Sequence, residues 1–319
     1  MKIVYMGTSD FAIPALRALC GKAPDVEVAL VVSQPDRPRG RGKKLTPTPV
    51  KKVAEELGIK VATPDKIRGN SSFCEELKSL CPDLIVVASY GKILPSELLA
   101  IPILGCVNIH ASLLPKYRGA APIQWAIADG NEETGISLMY MAEGLDEGDV
   151  IVQQSVEIGS KNAGQVTEEL AELGAKMLVD LLPEIEAGKA KRIPQNHELA
   201  TYARMLTKED GHIDWSKPAE VIARRIQGMT PVPGAWTNYG EIKMKVLAAH
   251  VAEKSSYDGY PSTVGQSPGS ITGVSGEGIE VQTGSGKILI DIIGVPGKKP
   301  LKVGDYLRGN EIDNQILLS

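Results

Sequence analysis

The sequence predicts an α/β domain built on a parallel sheet, followed by a smaller antiparallel β-barrel domain. Three observations carry this. Apolar runs alternate with helical patterns over roughly the first 185 residues, the pattern stops after Gly188, and short strand-like runs broken by Gly, Ser and Pro dominate from Ala235 onward. In order, Ile3 to Met6, Val26 to Val32, Leu84 to Ala88, Cys106 to Ile109 and Ile136 to Met141 read as buried strands. Amphipathic stretches at Ala12 to Leu19, Val50 to Leu57 and Pro122 to Ala128 supply helices for both sheet faces. A long helix, Gln165 to Glu186, is apolar at Leu170, Leu173, Met177, Leu178, Leu181 and Leu182. Lys189 to Thr207 has little periodicity and reads as a linker. Pro218 to Met229 looks helical, with Pro218 at its start. Lys243 to Ala249, Gly278 to Thr283 and Lys287 to Ile293 read as barrel strands. The expected division is therefore 1–188, a linker at 189–207, and 208–319.

The composition limits what the chain can do. At 319 residues and 43% hydrophobic it can bury a large core, and its length suits about two domains. A net charge of −4 excludes a globally basic nucleic-acid coat but leaves room for a local basic patch. Cys20, Cys74, Cys81 and Cys106 form no Cys-x-x-Cys pair, which suits reduced thiols rather than a zinc site or a disulfide framework. The sequence opens on the strand-like Lys2 to Met6, with no signal segment ahead of it and no bilayer-spanning apolar run. The expectation is a soluble, cytoplasmic protein, taken as a monomer.

Four segments carry chemistry. Asn108 and His110 stand two residues apart at the end of a predicted strand, so an amide and an imidazole face the same way, just before a loop with Pro115 and Gly119. The turn Gly7 to Ala12, "GTSDFA", is either a tight turn capped by Ser9 or Asp10 or an anion site; it lacks the G-x-G-x-x-G spacing of a dinucleotide site. Gln34 to Pro47 carries Arg37, Arg39, Arg41, Lys43 and Lys44 against the single acid Asp36, with prolines and glycines expected to prevent a regular element. It is either solvated surface or a basic arm that folds onto phosphates. Gly144 to Asp149, "GLDEGD", is a solvated turn, a weak divalent-cation site, or the source of a carboxylate that orients an imidazole.

Taken together, Asn108-Ile109-His110, the loop Ser112 to Pro122 ("SLLPKYRGAAP") and Leu145 to Gly148 ("LDEG") resemble the signature of the formyltetrahydrofolate-dependent formyltransferases. The glycine-arginine-rich insertion with Arg41 and the segment Ala200 to Trp215 ("ATYARMLTKEDGHIDW") are similar to the members of that family whose acceptor is initiator methionyl-tRNA. The similarity runs nearly end to end, although Ser255 to Ser267 departs from it. The resemblance implies a Rossmann-like parallel-sheet formyltransferase domain and an OB-like C-terminal tRNA-binding domain. It also implies 10-formyltetrahydrofolate as co-substrate, no metal, and a catalytic set of Asn108, His110 and Asp146. Folate contacts carry over to Ser112, Leu113, Leu114 and Pro115, and a pterin wall to Tyr90, Gly91, Ile93 and Leu94; ordinary core is the other reading of Ile93 and Leu94. Arg37, Arg39, Arg41, Lys43 and Lys44 carry over as tRNA contacts.

In such a transfer an uncharged amine attacks a formyl carbonyl and passes through a tetrahedral oxyanion, which Asn108 and His110 are suited to stabilise. Asp146 is suited to hold its partner or to accept the amine's proton through water. Two other classes stay open: the same domain acting on an amino-sugar nucleotide or as a formyltetrahydrofolate hydrolase, and a non-catalytic RNA-binding module in which Asn108 and His110 are satisfied core residues.

Overall fold

The computed structural model describes residues 1–23, 25–39, 44–252 and 267–319, with the Arg39 side chain left aside. Arg41 and Lys43, and nearly all of the stretch 255–267, lie outside the described residues. Strands β1 (Lys2–Gly7), β2 (Glu27–Val32), β3 (Arg37–Arg39), β4 (Lys44–Thr46), β5 (Val61–Ala62) and β6 (Leu84–Ala88) come first, followed by β7 (Cys106–His110), β8 (Arg118–Gly119), β9 (Glu133–Tyr140), β10 (Val150–Glu157) and β11 (Tyr202–Ala203). Among them lie helices α1 (Ile13–Gly21), α2 (Pro49–Glu56), α3 (Ser71–Leu80), α4 (Ser96–Leu99), α5 (Pro122–Ala128) and α6 (Ala163–Glu186). The chain forms two units. The first comprises Met1–Pro122, Thr134–Val156 and Thr167–Arg204, and the second Ile123–Glu133, Glu157–Val166 and Met205–Ser319.

The first unit is organised by one seven-stranded sheet in the order β10-β9-β7-β6-β1-β2-β5. From β5 to β7 the pairs are parallel, as the alternation of apolar runs and helices predicts. The central β6, Leu-Ile-Val-Val-Ala, is buried throughout, as a strand covered on both faces must be. On one face Val4, Met6, Leu30, Val32, Ile85 and Val87 pack with Phe73, Cys74 and Leu77 of α3. That helix is capped by Asn70, whose Oδ1 accepts the Phe73 N–H at 3.1 Å.

The strand expected at Ile136 to Met141 begins earlier, at Glu133, and runs antiparallel to β7. Its geometry explains the reversal. The chain leaves β7 at His110 and re-enters the sheet beside that same end, so no crossover is needed and Ser137 comes to lie opposite His110. Two further expectations are corrected. The basic segment does form a regular element, a short antiparallel ribbon pairing Arg37 with Thr46 and Arg39 with Lys44. The stretch 189–207 is no free connector, because Ile193 bridges Val150 and β11 pairs in parallel with β8.

The second unit contains α7 (Ala219–Met229) and strands β12 (Ala235–Tyr239), β13 (Ile242–Val251), β14 (Ile271–Val274), β15 (Ile279–Gln282), β16 (Lys287–Gly294) and β17 (Leu301–Lys302), followed by α8 (Val303–Leu307). The sheet order is β12-β13-β16-β15-β14, with antiparallel pairs throughout. Its two edge strands are joined by the last residues of the chain. Leu317 bridges Ser270 next to β14, and Leu318 bridges Tyr239 of β12. This closes the sheet towards a barrel and satisfies edge groups that would otherwise be unpaired. Leu318, 2% exposed, enters the same core as Ile226, Met244, Val246, Ile290 and Trp215.

Leu318→Ala should therefore lower the stability of this unit by about 2 to 5 kcal/mol, the usual cost of a buried Leu truncation. Urea unfolding followed by tryptophan fluorescence reports on it alone, because Trp125, Trp215 and Trp236, the only tryptophans, all belong to this unit. An unchanged midpoint would contradict the closure.

Candidate functional site

The polar groups of the first unit gather where its parallel strands end, the edge at which open α/β sheets place their ligand sites. After β1, the Thr8 hydroxyl donates to the Tyr90 carbonyl at 3.0 Å, and after β2 the Gln34 amide donates to the same oxygen at 2.8 Å. Ser9 does not cap the turn that follows; its hydroxyl bonds Ser89 at 2.7 Å, tying the ends of β1 and β6 together.

On β7, Asn108 is partly exposed and His110 is 6% exposed. Strand alternation turns both to one face, as the sequence predicts. The His110 ring lies between two acceptors. Nε2 is 2.9 Å from the Tyr117 carbonyl, to which it donates, and this turns Nδ1 towards Asp146 Oδ2 at 3.6 Å. The Asp146 carboxylate, only 14% exposed, also accepts the Gly119 N–H at 2.8 Å. The residues between His110 and Asp146 in the chain thus bring an imidazole and a carboxylate face to face.

Tight backbone geometry makes this possible. Asp146 itself is left-handed at φ 52, and Tyr117 at φ 56. Gly119 has φ 113, and a Cβ there would meet the Ala203 carbonyl oxygen at 2.7 Å. At Gly148 a Cβ would stand 1.8 Å from the Tyr140 carbonyl oxygen, so no larger residue fits that turn.

The loop after β7 is clamped from β9 and β10. Buried Ser137 donates to the Ser112 carbonyl at 2.6 Å and accepts the Leu114 N–H at 3.0 Å. Gln153 donates to the Leu114 carbonyl at 2.9 Å and to Ser137 at 2.7 Å. Ser112 is fully buried and bonds the Lys116 carbonyl, Leu114 is buried, and Leu113 and Pro115 are partly exposed. Ser137 and Gln153 were not singled out from the sequence. A serine inside the otherwise apolar run of β9 was the available signal.

The residues expected to form a pterin wall divide. Tyr90 and Leu94 are 1% exposed and sit in the core with Leu98 and Cys106, whereas Gly91 is exposed and Ile93 is 57% exposed. The Tyr90 hydroxyl finds no hydrogen-bond partner among the described residues, and burial pushes its pKa up to about 12, so it stays neutral. Of the basic segment, Arg37 and Lys44 are exposed, with Arg37 donating to Gln34 at 3.0 Å. The second unit carries its own aromatic and cationic surface: His212 stacks on Trp236 with centroids 4.2 Å apart, and the Lys243 ammonium lies 3.2 Å from the centre of that ring. Among the described residues no three His, Cys, Asp or Glu side chains are grouped to hold a metal ion, and no helix is long and apolar enough to cross a membrane.

Comparison with known proteins also divides the chain in two. Residues 1–182 match the formyl transferase profile and residues 205–311 the profile of the formyl transferase C-terminal domain, which leaves 183–204 and 312–319 uncovered. The chain is 45% identical to the methionyl-tRNA formyltransferase of Clostridioides difficile (strain 630) over 100% of both proteins. Among solved structures it resembles the N-formyltransferase of Helicobacter canadensis in complex with folinic acid and dTDP-3-aminofucose, with a TM-score of 0.66, 18% identity, and 91% and 98% of the two chains covered. It also resembles HypX of Aquifex aeolicus in complex with tetrahydrofolic acid, with a TM-score of 0.62 and 18% identity over 98% of this chain. This chain spans only about half the length of HypX, 48%. At these identities the two structures establish the shared fold.

Ser137→Ala would leave a buried carbonyl and a buried N–H of the clamped loop without their partner. The expected loss is about 1 to 3 kcal/mol in the unfolding free energy of the first unit, measured by urea titration followed by circular dichroism. Unaltered stability would mean that the loop is held by other contacts.

Proposed function

The chain belongs to the formyl transferase family, and from that premise we propose that it transfers the formyl group of 10-formyltetrahydrofolate to the α-amino group of initiator methionyl-tRNA. The observation that carries this reading is the pairing of His110 with Asp146 beside Asn108 at the end of β7. Full-length identity of 45% to a methionyl-tRNA formyltransferase supports the choice of acceptor. An amino-sugar acceptor has only the remote structural likeness behind it.

In this mechanism Asn108 donates from its side-chain amide to the oxyanion that forms when the amine attacks the formyl carbon. One such donor is typically worth about 2.7 to 4 kcal/mol. Asp146 and His110 work as a pair: Asp146 holds the imidazole and accepts the proton of the attacking amine through water, and His110, so held, delivers a proton to the departing folate nitrogen. A positioned acid or base adds about 10² to 10⁴ in rate. The C–N bond to the acceptor forms as the C–N bond to folate breaks, and no covalent enzyme intermediate is required. Ser112 to Pro115 with Gly91 and Ile93 line the folate slot in this reading, and Tyr90 and Leu94 back it from the core. Arg37, Arg39, Arg41, Lys43 and Lys44 grip the acceptor stem, and residues 208–319 add contacts through surfaces such as the Trp236 stack. The protein acts as a monomer in the cytoplasm.

Incubation with 10-formyltetrahydrofolate and methionyl-tRNA, an amino-sugar nucleotide or no acceptor should formylate the tRNA alone; formylation of the sugar, or hydrolysis without acceptor, would overturn the assignment. Asn108→Ala, His110→Ala and Asp146→Asn should each lower kcat at least about 10²-fold while folate affinity stays within a few-fold. Near-normal kcat in any one removes that residue from the mechanism.

Neutralising Arg41, Lys43 and Lys44 together should weaken tRNA binding and reduce its salt dependence by about two to three units of log slope. If affinity and slope both stay at the unmodified values, the basic segment is solvated surface.

A further inference from the structure

We infer that Gln195 is a positioning residue for Asp146, and that the stretch from Gln195 to Ala203 is a working part of the site rather than a connector. The inference rests on the reading of Asp146 as a catalytic group. Gln195 is 8% exposed, and its amide uses its full hydrogen-bonding capacity. Nε2 donates to the carbonyls of Asp146 and Gly148, both at 2.8 Å. Oε1 accepts from Arg118 Nε at 3.1 Å and Nη2 at 2.8 Å. The reverse orientation would set the amide oxygen against two carbonyl oxygens and its N–H groups against a guanidinium. Only one rotamer sense is therefore compatible with the partners, and the side chain is a fixed brace.

The same stretch sets the other parts of the pair. Thr201 accepts the Tyr117 N–H on its hydroxyl at 2.8 Å and the Arg118 N–H on its carbonyl at 2.9 Å. Tyr202 and Ala203 pair with Arg118 and Gly119. Tyr117 supplies the carbonyl that orients His110, and Gly119 supplies the N–H that holds the Asp146 carboxylate. Gln195 anchors the backbone of the turn in which Asp146 adopts its left-handed conformation. Such a conformation persists when its surroundings over-determine it. One short segment thus fixes the Asp146 turn, the donor to its carboxylate and the acceptor for its partner. Arg118, 1% exposed, has Gln195 and His197 as hydrogen-bond partners, with Glu147 Oε1 at 3.6 Å, so the brace also satisfies a buried charge.

The test separates positioning from bulk stability. Gln195→Met removes all four hydrogen bonds at similar volume. Gln195→Glu keeps the acceptor for Arg118 and removes both donors to the Asp146 turn. Both should lower kcat for methionyl-tRNA at least about tenfold, since a misplacement of about 1 Å costs up to about 10²-fold. KM for tRNA and the affinity for tetrahydrofolate should stay within about threefold. Introduced into an Asp146→Asn background, neither should lower kcat by more than about twofold further, because a brace has nothing left to position. Full additional loss in that background, an unchanged kcat in the single variants, or failure of both variants to fold would each overturn the assignment. Asp146→Asn measured alone keeps the two failures apart: normal kcat there sinks the catalytic reading, whereas reduced kcat there with normal kcat in Gln195→Glu sinks only the brace.

Discussion

A largely buried carboxylate facing a buried imidazole is the constraint around which the first unit is arranged. Asp146 is 14% exposed and His110 6%, so each needs polar partners from the protein. Burying an ionisable group is costly unless it is hydrogen-bonded. The structure supplies the partners from the backbone, with the Gly119 N–H on Asp146 and the Tyr117 carbonyl on His110. Each of those backbone groups is then fixed in turn. Gly119 must lack a side chain to approach Ala203, and Gly148 must lack one to pass under the Tyr140 carbonyl. The glycines of the loop and the turn are thus consequences of one electrostatic requirement.

The sheet provides the platform. Parallel strands β1, β2, β6 and β7 deliver their ends to one edge, where Thr8 and Gln34 meet at the Tyr90 carbonyl and His110 ends β7. The antiparallel return of β9 then sets Ser137 across from His110, so the strand that closes the sheet also clamps the loop after β7. A parallel β9 would enter from the opposite end and could not do this with the same register. Topology and site are linked here through a single serine.

The parts of this that could be read in the sequence were those with a period. The apolar runs at Ile3, Leu84 and Cys106 gave strands within a residue or so, and the two-residue spacing of Asn108 and His110 gave their shared face. Helix α3 was passed over because Ser71–Leu80 mixes Cys, Ser and Glu with few apolar residues, and its start depends on a side-chain cap at Asn70. Strand β10 was missed because its outer half, Gln153 to Glu157, is polar and largely exposed, as suits an edge strand. The ribbon of Arg37–Arg39 and Lys44–Thr46 was hidden by Pro38, which an edge position tolerates. Gln195 left no trace at all. It lies in an aperiodic stretch, and its partners are backbone carbonyls 49 and 47 residues earlier, which no local pattern encodes.

The central claim is that His110 and Asp146 act as one unit. Single-turnover formyl transfer to methionyl-tRNA, measured for His110→Ala, Asp146→Asn and the double variant, tests it most directly. Groups that act together lose their contribution once, so the double variant should be no slower than the slower single variant, within about threefold. Losses that multiply, with the double variant slower by the product of the two single effects, would show that the imidazole and the carboxylate work independently and would contradict the account.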